Sequence, residues 1–251
     1  METIHVLYVG DNIDVLTITH AGYDVFFNSH LVRENCLEAA LNRDSQFSVK
    51  RLWGTSVDSE FPNTLADLGK YQVLILSDVS SDNLRLHSDI MKGLRGTDRL
   101  KLVREFVENG GGFLMCGGYL SFGGYHNTGR YHATPIEEAL PVLIKDGDDR
   151  VEVTEGFSFS VGSEDHPIVR GVDWKKSDFY LLGYNKLTAK PAASILATFS
   201  HDPIITVWEL GRGRSMAFAS DCNLHWAGSF VNWEGYAKFW QQSIRWLAKK
   251  L

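Results

Sequence analysis

Apolar and polar positions alternate in a regular way over the first 140 residues. The apolar runs predict buried strands at Ile4–Val9, Tyr71–Leu76 and Phe113–Cys116, and alternation of apolar and polar positions predicts another strand at Phe47–Leu52. Helical spacing predicts one helix over Leu31–Asn42 and another that Thr97 caps, with an apolar stripe from Leu100 to Val107 and a stop at Gly110–Gly112. The alternation of strand, helix and strand predicts a mainly parallel sheet with helices on both faces.

The pattern changes after about residue 140, where strand-like segments follow one another. They cover residues 151–153, 179–182, 192–199, 204–209 and 214–219, with a turn at Gly211–Gly213 between the last two. We expect these strands to be antiparallel additions to the same sheet. A final helix over Tyr236–Leu251 has one apolar face, and no Ser/Pro/Gly linker divides the chain, which predicts a single domain over residues 1–251.

Composition excludes several classes of partner. The 251 residues carry 25 Lys and Arg against 31 Asp and Glu, so the net charge is −6 and nucleic acid is not expected as a partner. The chain begins without a signal-peptide pattern and has no apolar run long enough for a membrane span. The three cysteines are far apart and lack C-x-x-C spacing, which indicates a reducing cytoplasm.

The most informative position for chemistry is Cys116, at the end of a predicted strand. The glycines that follow, Gly117 and Gly118, allow a sharp turn that would hold the thiol out from the sheet, as in the elbows that carry nucleophiles. Their backbone N–H groups could then hold an oxyanion. Cys116 could equally be a small buried apolar residue that ends a strand.

Other polar residues lie in predicted loops near the same edge. Tyr119, Ser121, Arg130 and His132 follow the elbow and could contact a ligand, with Arg130 gripping a carboxylate. His225 follows the last strand and could serve as a base oriented by Asp221, although both could instead be packed loop residues. His132 is the other candidate base.

Four segments, in this order, resemble the uncharacterised class I glutamine amidotransferase-like family: residues 111–124, 129–135, 165–169 and 211–226. The resemblance covers essentially the whole chain and implies a flavodoxin-like three-layer α/β sandwich. It carries the family nucleophile over to Cys116, because Leu114–Gly118 matches the family elbow. Two features depart from the family pattern: Ser77 is followed by Asp78 and Val79 instead of a Gly-Gly loop, and the His-Pro-Glu expected after the last strand is absent from residues 217–226.

Cofactors and metals are not indicated by the sequence. Metal-binding His spacing and the Gly-x-Gly-x-x-Gly motif are both absent, so we predict neither a metal nor a nucleotide cofactor. Asp11, Asp78 and Asp221, each at a predicted strand end, could form a hard-cation site only if the fold brings them together. Seven tryptophans, five of them between residues 208 and 246, suggest self-association through the C-terminal region, or else a covering for the sheet.

Two functions remain open from the sequence. One is a Cys-dependent amide hydrolase for a small polar substrate, in which Cys116 attacks a carbonyl, Gly117 and Gly118 hold the oxyanion, and His225 or His132 moves the proton. The other is a binding or assembly module that keeps the fold without a complete catalytic triad.

Overall fold

The computed structural model describes residues 2–11, 13–21, 23–32, 35–86, 88–162, 164–174 and 178–251. Its strands are β1 Ile4–Gly10, β2 Ile13–Ala21, β3 Asp24–Val32, β4 Phe47–Leu52, β5 Val73–Ser77, β6 Gly112–Cys116, β7 Val142–Leu143, β8 Arg150–Phe157, β9 Ser160–Val161, β10 Leu181–Asn185, β11 Thr188–Ala189, β12 Ser194–Phe199, β13 Asp202–Leu210 and β14 Gly213–Phe218. Its helices are α1 Cys36–Asn42, α2 Val57–Glu60, α3 Leu65–Leu68, α4 Ser81–Arg85, α5 Ser88–Met91, α6 Arg99–Glu108, α7 Pro135–Ala139 and α8 Tyr236–Leu247.

The central sheet has the strand order β4-β1-β5-β6-β14-β13-β12-β9. The first five strands in this order pair in parallel, and the last three add on in antiparallel fashion. This confirms the predicted α/β class with a mainly parallel sheet. Strands β5 and β6 are buried along their whole length, which explains why neither alternates and why the run from Val73 to Leu76 in β5 is continuously apolar.

The C-terminal strands differ from the prediction in their pairing. Strands β12, β13 and β14 join the central sheet as expected, but β14 runs parallel to β6. The strands over 151–153 and 179–182 were expected in the same sheet, and this was wrong: β8 and β10 pair only with each other in a separate two-stranded sheet among the described residues. Periodicity identifies a strand but carries no information about its partner, because pairing is decided by distant residues.

The predicted helix boundaries need three corrections. The first helix begins at Cys36, because Leu31 and Val32 belong to β3 and the Asn35 side chain caps the helix by accepting from Glu38 N at 2.7 Å. Helix α6 is capped by Asp98, which accepts from two backbone N–H groups of the first turn, while the Thr97 hydroxyl donates to Asn63 O. The last helix ends at Leu247, since Lys249 has φ +58°.

An antiparallel hairpin of β2 and β3 occupies residues for which the sequence predicted no strand.

The chain reverses its direction across the sheet beside β1. From β1 it goes to β4 on one side and then to β5 on the other. In open α/β sheets such a switch leaves a crevice beyond the carboxyl ends of the two strands, and ligands bind there. Asp11 follows β1 and Asp78 follows β5, so both lie at the edge of the sheet where such a crevice is expected. No helix among the described residues is long and apolar enough to cross a membrane.

Candidate functional site

Four neighbouring strands bring polar residues to one edge of the sheet. Asp11 follows β1, Asp78 follows β5, Cys116 ends β6, and Asp221 lies three residues beyond the end of β14. The backbones come very close at the switch point, since a Cβ on Gly10 would lie 1.8 Å from Ser77 O. Gly10 has φ +105°, a conformation that favours glycine, so this residue makes the close approach of β1 and β5 possible.

A buried hydrogen-bond network forms the floor of this edge. The Tyr8 hydroxyl donates to the Asp11 carboxylate and accepts from the side-chain amides of Asn35 and Asn223, each at 2.9 Å. The Asn223 amide also donates to Asp11 Oδ2 at 2.7 Å. Cys222 Sγ lies 3.4 Å from Tyr8 Oη and 3.4 Å from Ser77 Oγ. The network joins the ends of β1, β5 and β14 to the cap of α1.

The carboxyl groups of Asp11, Asp78 and Asp221 at this edge influence one another's pKa values. Burial, together with the negative charge of Asp11, raises the pKa of Asp78 to about 6. Burial and the charges of Asp11 and Asp78 raise the pKa of Asp221 well above its ordinary range. Burial also raises the pKa of Asp11, against the lowering effect of hydrogen bonds from Tyr8 and Ser77. Because each charge disfavours the next, the cluster holds protons at pH values where isolated carboxyl groups are ionised.

The Cys116 thiol lies inside the protein and has no exposed surface. Burial raises its pKa, and the carboxylates of Asp11 and Asp221 raise it further, whereas hydrogen bonds with Cys222 and Ser77 lower it. A reactive thiolate needs a cationic or electropositive neighbour, and the charged groups that act on this thiol are carboxylates.

The two N–H groups expected to hold an oxyanion are already used inside the protein. Gly117 N donates to Phe218 O and Ser220 O, each at 2.8 Å, and Gly118 N donates to Asn185 Oδ1 at 3.0 Å. A Cβ on Gly117 would lie 2.3 Å from Ala219 O, so this glycine is needed for close packing against the end of β14. Both N–H groups therefore have acceptors within the protein, and the oxyanion role of Gly117 and Gly118 stays a prediction.

His225 lies beside Asp221, as the sequence suggested, but at the surface. Its Nδ1 is 3.9 Å from Asp221 Oδ2, and its ring contacts Tyr119, with ring centroids 4.6 Å apart, and stacks on Trp226. Partial burial lowers its pKa, an effect that the charge of Glu152 opposes. His225 therefore forms part of an aromatic wall with Tyr119 and Trp226.

Tyr119 and Ser121 both lie at the carboxyl edge. Ser121 Oγ accepts from Asp78 N at 3.1 Å, and Asp78 Oδ1 accepts in return from Leu120 N at 2.7 Å. The Tyr119 hydroxyl donates to Glu152 Oε1, and the other oxygen of the Glu152 carboxylate accepts from Trp226 Nε1, both at 2.9 Å. Glu152 therefore fixes two members of the aromatic wall.

Arg130 and His132 do not join this group. Arg130 is exposed and pairs with Asp82 at 2.8 Å, and His132 Nδ1 lies 2.7 Å from Ile144 O and 3.5 Å from the Glu137 carboxylate. Positive φ angles at Arg130 and Ala133 turn this part of the loop, and the two side chains bind their own neighbours. They are placed by the loop and not by the strand end.

The sequence missed the residues that anchor the loop after β6. The buried Asp149 carboxylate accepts from Gly123 N and Gly124 N, both at 2.8 Å, and from the Asn185 amide at 2.7 Å. Asn185 is itself fully buried and binds both the N–H and the C=O of Gly118. Asp149 lies in an Asp-rich run that is typical of a surface, and Asn185 ends a strand whose partner the sequence could not identify.

The floor residues Tyr8, Asn35, Ser77 and Asn223 were also missed. Tyr8 lies within an apolar run that indicates only a strand, and Asn35 is a helix cap whose amide donates to Tyr8 on a neighbouring strand. The described part of the chain contains no group of three His, Cys, Asp or Glu side chains with the spacing of a metal site. Asp11, Asp78 and Asp221 therefore influence one another's pKa values, but they are not arranged as the ligands of a metal ion.

The C-terminal tryptophans pack within the chain. Trp226, Trp240 and Trp246 are buried, and Trp233 packs against Trp174, Phe179 and Phe230. Trp208 donates to Ala139 O at 3.0 Å. These contacts lie within the chain, and self-association through this region stays a prediction.

Comparison with known proteins gives a consistent assignment. A family model described as "Putative glutamine amidotransferase" matches residues 5–249. The cytoplasmic protein STM3548 from Salmonella typhimurium is 33% identical with a TM-score of 0.90, and the alignment covers 96% of this chain and 98% of that one. The cytoplasmic protein STM1381 from Salmonella typhimurium LT2 is 32% identical with a TM-score of 0.88, with coverage of 97% and 99%.

A more distant structure shares the fold. A ThuA-like protein from Parabacteroides merdae is 13% identical with a TM-score of 0.52, and the alignment covers 99% of this chain and 91% of that one. No curated protein matches. The match to the family model over nearly all residues, with two full-length relatives above 30% identity, shows that this chain belongs to the glutamine amidotransferase-like (GATase1-like) family.

Proposed function

We propose that this protein binds a small polar molecule in the crevice at the carboxyl ends of β1 and β5, without Cys-dependent amide hydrolysis. The observation that carries the proposal is the group of carboxyls Asp11, Asp78 and Asp221, whose pKa values are raised together above a buried polar floor. Titratable residues whose pKa values are shifted by burial and by specific charges are frequent at functional sites, and these three carboxyls lie at the switch point of the sheet. Hydrogen-bond donors on a ligand would pair with the partly buried Asp78, whereas Asp11 Oδ2 already accepts from Tyr8 and Asn223.

The wall of the proposed site combines polar and apolar surface. Tyr119 and His225 form one side, with Asp78 and Ser121 below them. Exposed Leu120 and Leu224 lie beside Tyr119 and His225 in the two loops. Small-molecule sites commonly have this mixture of a mostly apolar lining with a few directed polar groups.

The environment of Cys116 supports the binding module over the hydrolase. A nucleophilic thiol needs a lowered pKa and access to a substrate carbonyl, whereas this thiol is buried and its pKa is raised. The internal hydrogen bonds of Gly117 N and Gly118 N point in the same direction. The match of Leu114–Gly118 to the family elbow is then explained by close packing at the end of β6.

Calorimetric titration tests the binding proposal. We expect at least one of L-glutamine, L-glutamate and ammonium chloride to bind the wild-type chain, and Asp78→Asn to weaken that binding by about tenfold, which is about 1.4 kcal/mol. Asp146→Asn removes an exposed carboxyl outside the crevice and is the matched control. Equal affinity in the two variants would remove Asp78 from the proposal, and no binding of any of the three probes would contradict it for amide, carboxylate and ammonium groups.

Thiol labelling and a glutaminase assay test the absence of hydrolysis. With iodoacetamide near pH 8 we expect the partly exposed Cys36 to react, while Cys116 and Cys222 stay protected in the native state. Ammonia release from glutamine should be the same for the wild type and Cys116→Ala. Release by the wild type that is lost in Cys116→Ala would restore the hydrolase with Cys116 as its nucleophile.

The remaining expectations concern the whole chain. We propose that it folds as one domain, supported by a single contiguous core that includes residues from β1 to α8. We also propose a cytoplasmic location, supported by the names of the two full-length relatives. Self-association is proposed as well, and light scattering at micromolar concentration would test it.

A further inference from the structure

The hairpin of β2 and β3 has two edges that meet no further strand in the described part of the chain. Its strands pair with each other along their whole length, beginning with Ile13 opposite Val32, and they form a separate two-stranded sheet. An edge strand carries a row of backbone N–H and C=O groups that can pair with another chain. A two-stranded hairpin by itself is marginally stable in water, and added strands stabilise it. The edges of this hairpin are therefore candidates for pairing between molecules.

Both ends of the hairpin are held in the floor of the candidate site. Asp11, two residues before β2 begins, accepts from the Tyr8 hydroxyl, and Asn35, three residues after β3 ends, donates its amide to the same hydroxyl at 2.9 Å. A contact made by the hairpin is therefore linked through the chain to the carboxyl edge of the central sheet. The inference below does not depend on that edge binding a small molecule.

The sequence of β2 is complementary to itself. Asp14 and His20 are the ionisable residues of this strand, and Thr17 lies midway between them. When two copies of β2 run antiparallel with Thr17 opposite Thr17, Asp14 of each copy lies opposite His20 of the other. The same register places Leu16 opposite Ile18. Because alternate residues of a strand share a face, both kinds of pair lie on one face, and carboxylate–imidazole and apolar pairs at opposed positions stabilise an antiparallel sheet.

The sequence of β3 lacks this property. An antiparallel pair of β3 strands about the central residue, Asn28, would place Asp24 opposite Val32. The same pairing would place His30 opposite Phe26, so neither polar side chain would meet a complementary one. The contact is therefore expected at the edge of β2, and the two outer β3 edges give no reason for further copies to add.

We propose that two copies of this chain pair through the edges of β2, antiparallel about Thr17, in one four-stranded sheet of order β3-β2-β2-β3. The backbone groups along both β2 edges would gain partners, as in recognition by an added strand. A two-fold axis repeats each side-chain pair, so the contact is closed and contains the Asp14–His20 pair twice. An unrelated extended segment would also pair with the backbone, whereas a second copy of β2 supplies the complement of each ionisable residue as well.

Cross-linking of the full chain tests the register. In a Cys36→Ser background, Thr17→Cys puts two thiols directly opposite each other across the two-fold axis, with Cβ atoms about 5 Å apart. Thr19→Cys is the matched control, because its two thiols would be offset by about 14 Å along the strands. With diamide as the oxidant we expect a covalent dimer of Thr17→Cys and none of Thr19→Cys. Equal cross-linking of the two variants, or none of Thr17→Cys, would overturn the proposal.

Exchange of the charged pair tests the partner. In sedimentation equilibrium we expect a wild-type dissociation constant below about 100 μM, which Asp14→Lys and His20→Glu should each raise about tenfold. An equimolar mixture of the two variants should regain the wild-type association, because the new lysine of one copy lies opposite the new glutamate of the other. Positions 14 and 20 are about 20 Å apart within one strand, so this rescue can occur only between copies. A mixture that associates no better than either variant alone contradicts the pairing of β2 with β2.

A control on the same hairpin separates this contact from other surfaces. Asp24→Lys makes the same charge change on β3 and should leave the dissociation constant unchanged. A wild type that stays monomeric at about 100 μM would exclude the second copy as the partner. A wild-type dimer in which Thr17→Cys does not cross-link would place self-association elsewhere on the protein and also overturn the proposal. Either result would leave the binding proposal for the carboxyl edge unaffected, and the two conservative cysteine variants keep the test decisive if a charge variant fails to fold.

Discussion

The strand ends and the loop after β6 supply side chains to the same edge of the sheet, but they position them in different ways. Asp11, Asp78 and Cys116 are brought together because their strands are neighbours in a parallel sheet. Arg130 and His132 lie only 14 and 16 positions beyond Cys116, yet they bind local partners and stay away from the strand ends. The sheet decides the location of the first group, and loop hydrogen bonds decide that of the second.

Strand-end residues and loop residues therefore differ in which substitutions would displace them. A strand-end residue can leave the edge only if the sheet itself is disturbed, whereas a loop residue depends on a few anchors such as Asp149 and Asn185. Substitutions at the sheet contacts, at the loop anchors and at the loop surface should therefore have decreasing effects.

The largest effect is expected where β1 meets β5. Gly10→Ala would put a Cβ 1.8 Å from Ser77 O at φ +105°, so we expect the free energy of unfolding to fall by more than about 3 kcal/mol. Gly93→Ala is the control, because Gly93 also has positive φ but has nothing within 4 Å of the added Cβ, and it should cost about 1 kcal/mol. Urea unfolding of both variants measures the difference. Similar losses in the two variants would mean that the positive φ, and not the contact between β1 and β5, causes the loss of stability.

Removal of the loop anchor should have the next largest effect. Asn185→Ala deletes hydrogen bonds to Gly118 and Asp149 and leaves the Asp149 carboxylate with an unmet acceptor, which should cost about 3 kcal/mol. The exposed Asn232 provides the control, since its substitution by Ala should change stability by less than about 0.5 kcal/mol. Hydrogen exchange should show faster opening of residues 118–124 in Asn185→Ala. Unchanged exchange there would argue against the anchoring role.

The carboxyl cluster predicts a pH dependence of stability. The pKa of Asp78 is about 6 in the folded chain and near 3.8 when unfolded, so between these values the folded state binds more protons. Stability should therefore fall as pH rises from about 4 to 6, by about 2 kcal/mol from this group. Asp78→Asn keeps an oxygen for Leu120 N and should flatten this part of the profile, as urea unfolding at several pH values would show. A profile identical to that of the wild type would mean that Asp78 is ionised throughout.

The smallest effect is expected at the loop surface. Arg130→Gln removes an exposed ion pair with Asp82, which should change the free energy of unfolding by no more than about 0.5 kcal/mol and leave ligand binding unchanged. Arg170→Gln, at another exposed arginine, should behave in the same way. Calorimetric binding measured beside unfolding distinguishes the two roles, because loss of affinity in Arg130→Gln alone would place Arg130 in the site after all.

The sequence predicted the core strands well and the pairing of later strands poorly. Strands β1, β5 and β6 are continuous apolar runs because both faces are covered, and such runs are visible without knowledge of the partners. The strands β8 and β10 are separated by more than 20 residues, and their pairing depends on contacts between these distant segments. The local sequence of each strand could not tell the central sheet from a small separate one.

The candidate site was predicted only in part, for a similar reason. Asp11, Asp78, Cys116 and Asp221 could be located because each follows or ends a recognisable strand. Tyr8, Asn223 and Asn185 were missed because their roles depend on hydrogen bonds across 36 to 215 positions of the chain. The sequence also suggested that the thiol of Cys116 could be exposed, which depends on how tightly Gly117 packs against Ala219.

By itself, the sequence of this protein determined the α/β class, the parallel core and the order in which polar residues reach the carboxyl edge, because these follow from local periodicity and from the geometry of a parallel sheet. Only the tertiary structure decided that the Cys116 thiol is buried beside carboxylates, that the N–H groups of Gly117 and Gly118 are already bound, and that Trp226, Trp240 and Trp246 are buried within the chain. Burial, charge and hydrogen bonding at a site are sums over neighbours distant in the chain, and no local pattern of residues contains them.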